Sequence, residues 1–189
     1  MSIPPYDKKL SYSDYLGWSN DEPIEIIDGI PYSMSLAPST KHQQVSMNLS
    51  YQLMDFFKAK ECQVFAAPFD VRLFSEGKDA NDVFNVVQPD LSVICDKNKL
   101  DDKGCAGLPD LIVEILSPSS AKMDKMMKRN LYEKALVKEY WIVDPQNELI
   151  EVYSLDNHDL YRKPLFYSGE DTLESICFKG LKLGVDKIF

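Results

Sequence analysis

The chain has 189 residues, 44% of them hydrophobic. That suits one domain, 1–189, with a core that needs no metal or disulfide merely to fold. A net charge of −9 argues against a protein that coats nucleic acid by bulk charge, leaving only a local basic surface such as Lys122, Lys125, Lys128 and Arg129. No apolar stretch approaches membrane-spanning length, and the N-terminus has no signal-peptide shape, so the expectation is a cytoplasmic protein with no membrane partner.

Tyr12–Trp18 reads as a short helix, capped by Ser11 or Ser13 and ended by Gly17 and Asn20. Strands at Ile24–Ile27 and Ile30–Leu36 flank Asp28-Gly29, a strong hairpin signal. Pro38-Ser39-Thr40 opens a long helix to about Ala59, with the apolar stripe Val45, Leu49, Leu53, Phe56 and Phe57. Strands at Val64–Phe74, Val86–Ile94 and Leu111–Leu116 are separated by the polar stretches Ser75–Asp82 and Asp96–Leu108. Ser117-Pro118-Ser119-Ser120 caps a further helix to about Leu136. Strands at Tyr140–Val143 and Leu149–Tyr153 follow, then weaker strand signals at Leu165–Tyr167 and Ser175–Phe178. The fold class is α/β, with a mixed sheet flanked by helices. Cys62, Cys95, Cys105 and Cys177 form no CxxC pair, have no His at zinc-finger spacing, and read as reduced thiols.

Glu114 lies inside Leu111-Ile112-Val113-Glu114-Ile115-Leu116, a run apolar enough to be buried on both faces. An ionised carboxylate there is costly unless a cation or several donors meet it. Asp90 repeats the pattern in Val86-Val87-Gln88-Pro89-Asp90-Leu91. Two acids planted in two core strands point to a shared site, and a bound cation is the simplest partner.

At about 100° per residue, Met123, Met126, Met127 and Leu131 form the apolar stripe of the following helix. Asp124 and Lys128 fall on its edge, and Lys122 and Arg129 point to solvent. Two readings stand for Lys128: an i,i+4 surface pair with Asp124, or an ammonium turned toward Asp90 and Glu114. The second set has a chemistry. Hard oxygen ligands suit Mg²⁺ or Mn²⁺, such a cation neutralises a phosphodiester, and a lysine stabilises the transition state or positions water. A free ammonium near pKa 10.4 is protonated at neutral pH and two carboxylates keep it so, which favours the electrostatic role.

Pro89-Asp90 and Glu114 on successive strands resemble the PD-(D/E)XK nuclease superfamily. The longer pattern is more specific. It runs from Pro109-Asp110 through Glu114 to Ser119, then Asp124, Lys128 and Tyr132, then Glu139-Tyr140-Trp141 and Asp144-Pro145. With Glu25, Asp28-Gly29 and Ser39 to His42, it resembles the Uma family of restriction-endonuclease-like proteins over nearly the whole chain. The resemblance implies a restriction-endonuclease-like core and an Mg²⁺-dependent site acting on nucleic acid, chiefly DNA, in a homodimer. Asp90 and Glu114 would be metal ligands, with the Ile115 backbone carbonyl as another. Leu116 stands where the superfamily usually has its lysine, a role the resemblance moves to Lys128.

Asp110 reads as a solvated strand-entry acid, Asp144 as a turn acid, and Tyr140 and Trp141 as core. His42 reads as a capping or packing residue rather than a metal ligand. Glu25 faces solvent or adds a third carboxylate. GxSxG, P-loop and GxGxxG motifs are lacking, which sets aside serine-hydrolase, NTPase and dinucleotide functions. The rival to a nuclease is a catalytically silent nucleic-acid-binding or protein-interaction module on the same fold.

Overall fold

The computed structural model describes residues 8–18, 23–34, 38–118 and 120–189. Asn20, Leu36 and Ser119, used above as boundary or motif residues, lie outside them. Helix α1 (Tyr12–Leu16) is capped by Ser11, whose hydroxyl accepts from the Asp14 N–H, and Gly17 ends it. Strands β1 (Ile24–Ile27) and β2 (Ile30–Ser33) pair antiparallel. Asp28 and Gly29 take φ 52° and 82°, the left-handed pair that a two-residue hairpin needs.

Helix α2 (Thr40–Phe57) starts at Ser39, whose side chain caps the His42 N–H. Strands β3 (Gln63–Ala66), β4 (Val71–Arg72), β5 (Val86–Val87) and β6 (Leu91–Ile94) follow. The expected single strands Val64–Phe74 and Val86–Ile94 are therefore each broken. The breaks fall at Ala67-Pro68 and at Pro89-Asp90, where the missing proline N–H interrupts a ladder. They lie side by side, with the Ala67 N–H donating to the Asp90 carbonyl at 3.1 Å.

Beyond them come β7 (Leu100–Asp101), β8 (Gly104–Ala106), β9 (Leu111–Ile115), β10 (Glu139–Asp144), β11 (Leu149–Ser154), β12 (Leu165–Ser168), β13 (Thr172–Glu174) and β14 (Lys182–Gly184). The stretch taken as a plain polar loop, Asp96–Leu108, thus holds a small hairpin, and the strand expected at Ser175–Phe178 is replaced by the β13–β14 pair.

The strands form two six-stranded mixed sheets, ordered β2-β1-β5-β4-β8-β7 and β12-β11-β10-β9-β6-β3, where one mixed sheet was expected. The breaks carry the chain from one sheet to the other, β3 to β4 and back from β5 to β6. In the second sheet β9 runs parallel to β10 and antiparallel to β6.

Leu111, Val113 and Ile115 of β9 join the core under α2, with Val45, Leu49, Leu53 and Phe57. Ile112 faces the opposite core with Tyr132, Tyr140 and Ile142. Fully burying a side chain such as Leu49 or Leu53 contributes roughly 1.5–3 kcal/mol. Cys62 and Cys95 form a disulfide, correcting the expectation of four reduced thiols. Gln63 pairs with Ile94, so one step outward the register sets the two cysteines opposite each other.

The helix after β9 departs from regular geometry. Met123–Lys128 is a π-helix, and α-helical geometry resumes in Arg129–Lys134 (α3). Bonding from i to i+5 advances less per residue than the α-helical turn, and the expected stripe rotates. Met126 and Met127 are exposed while Asp124 and Lys128 are buried.

Candidate active site

Alternation along β9 puts Glu114 on the same face as Ile112, toward the π-turn and α3. Leu91 pairs with Val113, so Asp90, one residue earlier, stands level with Glu114 across the end of β6. Asp90 Oδ2 accepts from the Ile115 N–H at 2.7 Å. The two sequence-predicted acids and the Ile115 backbone are thus brought together by strand register alone.

Lys128 reaches them from the π-turn. Its Nζ lies 3.0 Å from Glu114 Oε1, 2.8 Å from Glu25 Oε1 and 3.7 Å from Asp124 Oδ1. The i,i+4 pair with Asp124 exists, yet buried rather than on the surface. One reading turned the ammonium toward Asp90 and Glu114. It sits instead between Glu114 and Glu25, while Asp90 Oδ1 meets His42 Nε2 at 3.3 Å. The Tyr132 hydroxyl donates to Glu114 Oε1 at 2.7 Å, and the Gln88 N–H donates to Glu25 Oε1 at 2.8 Å.

The electrostatics are one-sided. Burial raises the Glu114 carboxyl well above the usual range. Lys128 pulls it down, and Asp124, Asp90 and Glu25 push it further up. Asp124 is raised in the same way, chiefly by burial against the pull of Lys128. Burial alone would lower the Lys128 ammonium, but Glu114, Glu25 and Asp124 outweigh it and its pKa rises. His42 rises because its ring bonds Asp90, against its own burial. Four carboxylates around one lysine and one histidine leave surplus negative charge, which a divalent cation would relieve.

The donors fit such an ion. Two carboxylates and a backbone carbonyl are hard oxygens, the partial set that Mg²⁺ completes with its own waters. Among the described residues no three His, Cys, Asp or Glu side chains form a ready-made cage, so the ion's shell would be finished by solvent and substrate. The group lines a cleft of about 1700 Å³, walled by the β1–β2 hairpin and by α2.

Sequence reasoning missed part of this site. His42, read as a cap or packing residue, bonds a candidate ligand. Its signal was its spacing, 42-45-49-53, on the buried stripe of α2. Glu25 is the third carboxylate rather than a solvent-facing one, and its strand Ile24–Ile27 is buried throughout, as β9 is. Asp110 lies outside the cleft and is no solvated acid: it accepts from the Cys95 N–H and pairs with Lys138 at 2.7 Å. Asp144 holds its own turn, and Tyr140 and Trp141 are core, as expected.

No helix among the described residues is long and apolar enough to cross a membrane. A protein from Synechocystis sp., slr1290, described as uncharacterized, is 29% identical over 184 residues, spanning 96% of this chain and 92% of its own. A crystal structure of a "putative nuclease belonging to DUF820" from Anabaena variabilis superimposes with a TM-score of 0.74 at 17% identity, over 95% of this chain and 97% of that one. That likeness establishes a shared fold. Residues 12–186 match the Uma2 family, whose description is "Putative restriction endonuclease", and the chain therefore belongs to the Uma2 family.

Proposed function

We propose that this protein is a divalent-metal-dependent nuclease that hydrolyses DNA phosphodiester bonds. The observation that carries the reading is the level placement of Asp90 and Glu114 at the floor of a large cleft, joined through the Ile115 backbone. Asp90, Glu114 and the Ile115 carbonyl would hold Mg²⁺ or Mn²⁺. Such a cation neutralises phosphodiester charge and acidifies water. In hydrolysis water adds to phosphorus, one P–O ester bond breaks, and the departing alkoxide takes a proton.

Lys128 is the third catalytic residue. Kept protonated by its carboxylates, it stabilises charge developing on the phosphate and positions water, and does not act as a base. Tyr132 fixes the Glu114 carboxylate, and His42 fixes that of Asp90. The same reading includes a homodimer, each copy offering its cleft to one strand, checked by light scattering.

A second reading has its own observation. Both Asp90 oxygens and Glu114 Oε1 already meet protein donors, as in a structural polar network of a silent binding module. Calorimetric titration of Mn²⁺ into the wild type, Asp90→Ala and Glu114→Ala separates the two. The nuclease expects binding that both variants lose, together with a drop in plasmid cleavage of at least about 100-fold. No binding by the wild type, with or without DNA, leaves the silent module.

A further inference from the structure

The cleft is poor in free cations. Its lining lysines among those described are Lys8, Lys9, Lys41 and Lys128, beside His42, which is bonded to Asp90, and no Lys or Arg occurs at positions 1–7, 19–22, 35–37 or 119. Lys128 is held by three carboxylates, and Lys41 is paired with Glu148 at 3.0 Å. Against these four stand Glu25, Asp90, Glu114 and Asp124, also in the lining. A protein that grips duplex DNA by its backbone typically neutralises 6–10 phosphates, by order of magnitude. This cleft has no such set.

Its walls are built for something else. On β2, Tyr32 pairs across the strand with Glu25, which sets an aromatic ring beside the carboxylate floor. Ile30, two residues before it on the same face, is 53% exposed. On the facing wall, Gln43, Ser46, Met47 and Ser50 recur at helical spacing along α2, and Met47 is 67% exposed. Apolar and aromatic surface on the hairpin, facing Met47 among amide and hydroxyl groups on α2, suits base faces and base edges. Two of the three catalytic groups add a steric argument, because Glu114 and Lys128 are each only 4% exposed, while the Asp90 side chain is 22% exposed. A phosphate in an intact duplex is backed by the bulk of two strands, and a single strand reaches a recessed floor with far less obstruction.

Resting on the nuclease reading, we propose that the cleft takes an unpaired DNA strand, its bases against Tyr32, Ile30 and Met47, rather than intact duplex. Recognition of this kind adds stacking of unpaired bases on aromatic and apolar side chains to contacts with the backbone.

The test is fluorescence anisotropy of the full chain, with Ca²⁺ in place of Mg²⁺, on a labelled single strand, its blunt duplex and the duplex with a splayed end. The single strand and the splayed end are expected to bind about tenfold tighter than the blunt duplex. The three lysines outside the buried cluster, Lys8, Lys9 and Lys41, whose pair with Glu148 is solvent-exposed, give a log–log salt slope near about −2 for the single strand. Tyr32→Ala should weaken single-strand binding by roughly tenfold and Tyr32→Phe should restore it. Ile30→Ala, at an exposed position, should weaken it too without disturbing the fold. Blunt duplex bound as tightly as single strand, a slope steeper than about −5, or unchanged binding in both alanine variants would overturn the proposal. If duplex is then cut with Mg²⁺ without preference for unpaired ends, the nuclease stands and only this inference fails. If no form is bound or cut, both fail.

Discussion

At the scale of single residues, the decisive feature is an imbalance of buried charge. Lys128 is the one ammonium among Glu25, Glu114 and Asp124, so removing it and removing an acid have opposite consequences. Lys128→Met should destabilise the metal-free protein by about 3–5 kcal/mol, because it strands carboxylates without their counter-ion. Glu114→Gln keeps an acceptor for the Tyr132 hydroxyl and sheds one unit of surplus charge. Its metal-free stability should equal or exceed the wild type, while its response to Mg²⁺ is lost. Urea unfolding of the two variants checks this, and a Glu114→Gln protein losing more than about 2 kcal/mol would mean the carboxylate is structurally required in ionised form.

Elements decide how those residues meet, and here the sequence was legible in part. Burial of β9 on both faces, the Asp28-Gly29 turn and the α2 stripe all follow from local pattern, as do Asp90 and Glu114 as acids within apolar strands, but that the two stand level depends on the β6–β9 register. The two strand breaks were signalled by Pro68 and Pro89, but that they lie together depends on β3–β6 and β4–β5 pairing, which no local window contains. The π-turn is of the same kind. The stripe argument left Lys128 on the edge, with an inward turn as one of two readings, and placed Met126 and Met127 inward wrongly, because it assumed α-helical advance through a π-helical stretch. The Cys62–Cys95 bond needed the β3–β6 register. His42 was readable from its spacing but has an ordinary alternative, a packed core histidine.

The β7–β8 hairpin, unseen in the sequence, is tied to β4 by Arg72 and Asp101 at 2.7 Å. Burial pushes the Asp101 carboxyl up, but its bonds to Arg72 and the Lys103 N–H prevail and its pKa falls. A folded pKa below the unfolded one gives stability that is present above about pH 3.9 and lost as pH falls through the folded value. Because Asp101 is 48% exposed, the contribution should stay below about 1 kcal/mol. The difference in melting temperature between wild type and Asp101→Asn should be constant near neutrality and close below about pH 4. A difference that persists unchanged into that range would assign the hairpin's anchoring to something other than this ion pair.

For the molecule as a whole, the site lies on a seam. Asp90 stands where the chain crosses between the two sheets, and Glu114 belongs to the second sheet. A cation held by both would tie the crossing to β9, so its binding energy becomes folding energy for the seam. At a hundredfold excess over Kd that gain is about 2.7 kcal/mol, a rise in melting temperature of roughly 5–10 °C for a chain of this size. Asp90→Ala should show no rise. Hydrogen exchange locates the effect, because the Asp90 carbonyl accepts from Ala67 and its carboxylate accepts from Ile115. Added Mg²⁺ should slow exchange at both amides, which flank Asp90 on its β3 side and its β9 side. Slowing at Ile115 alone would confine the cation to β9 and leave Asp90 outside its shell, and a melting shift retained in Asp90→Ala would place the ion elsewhere in the molecule.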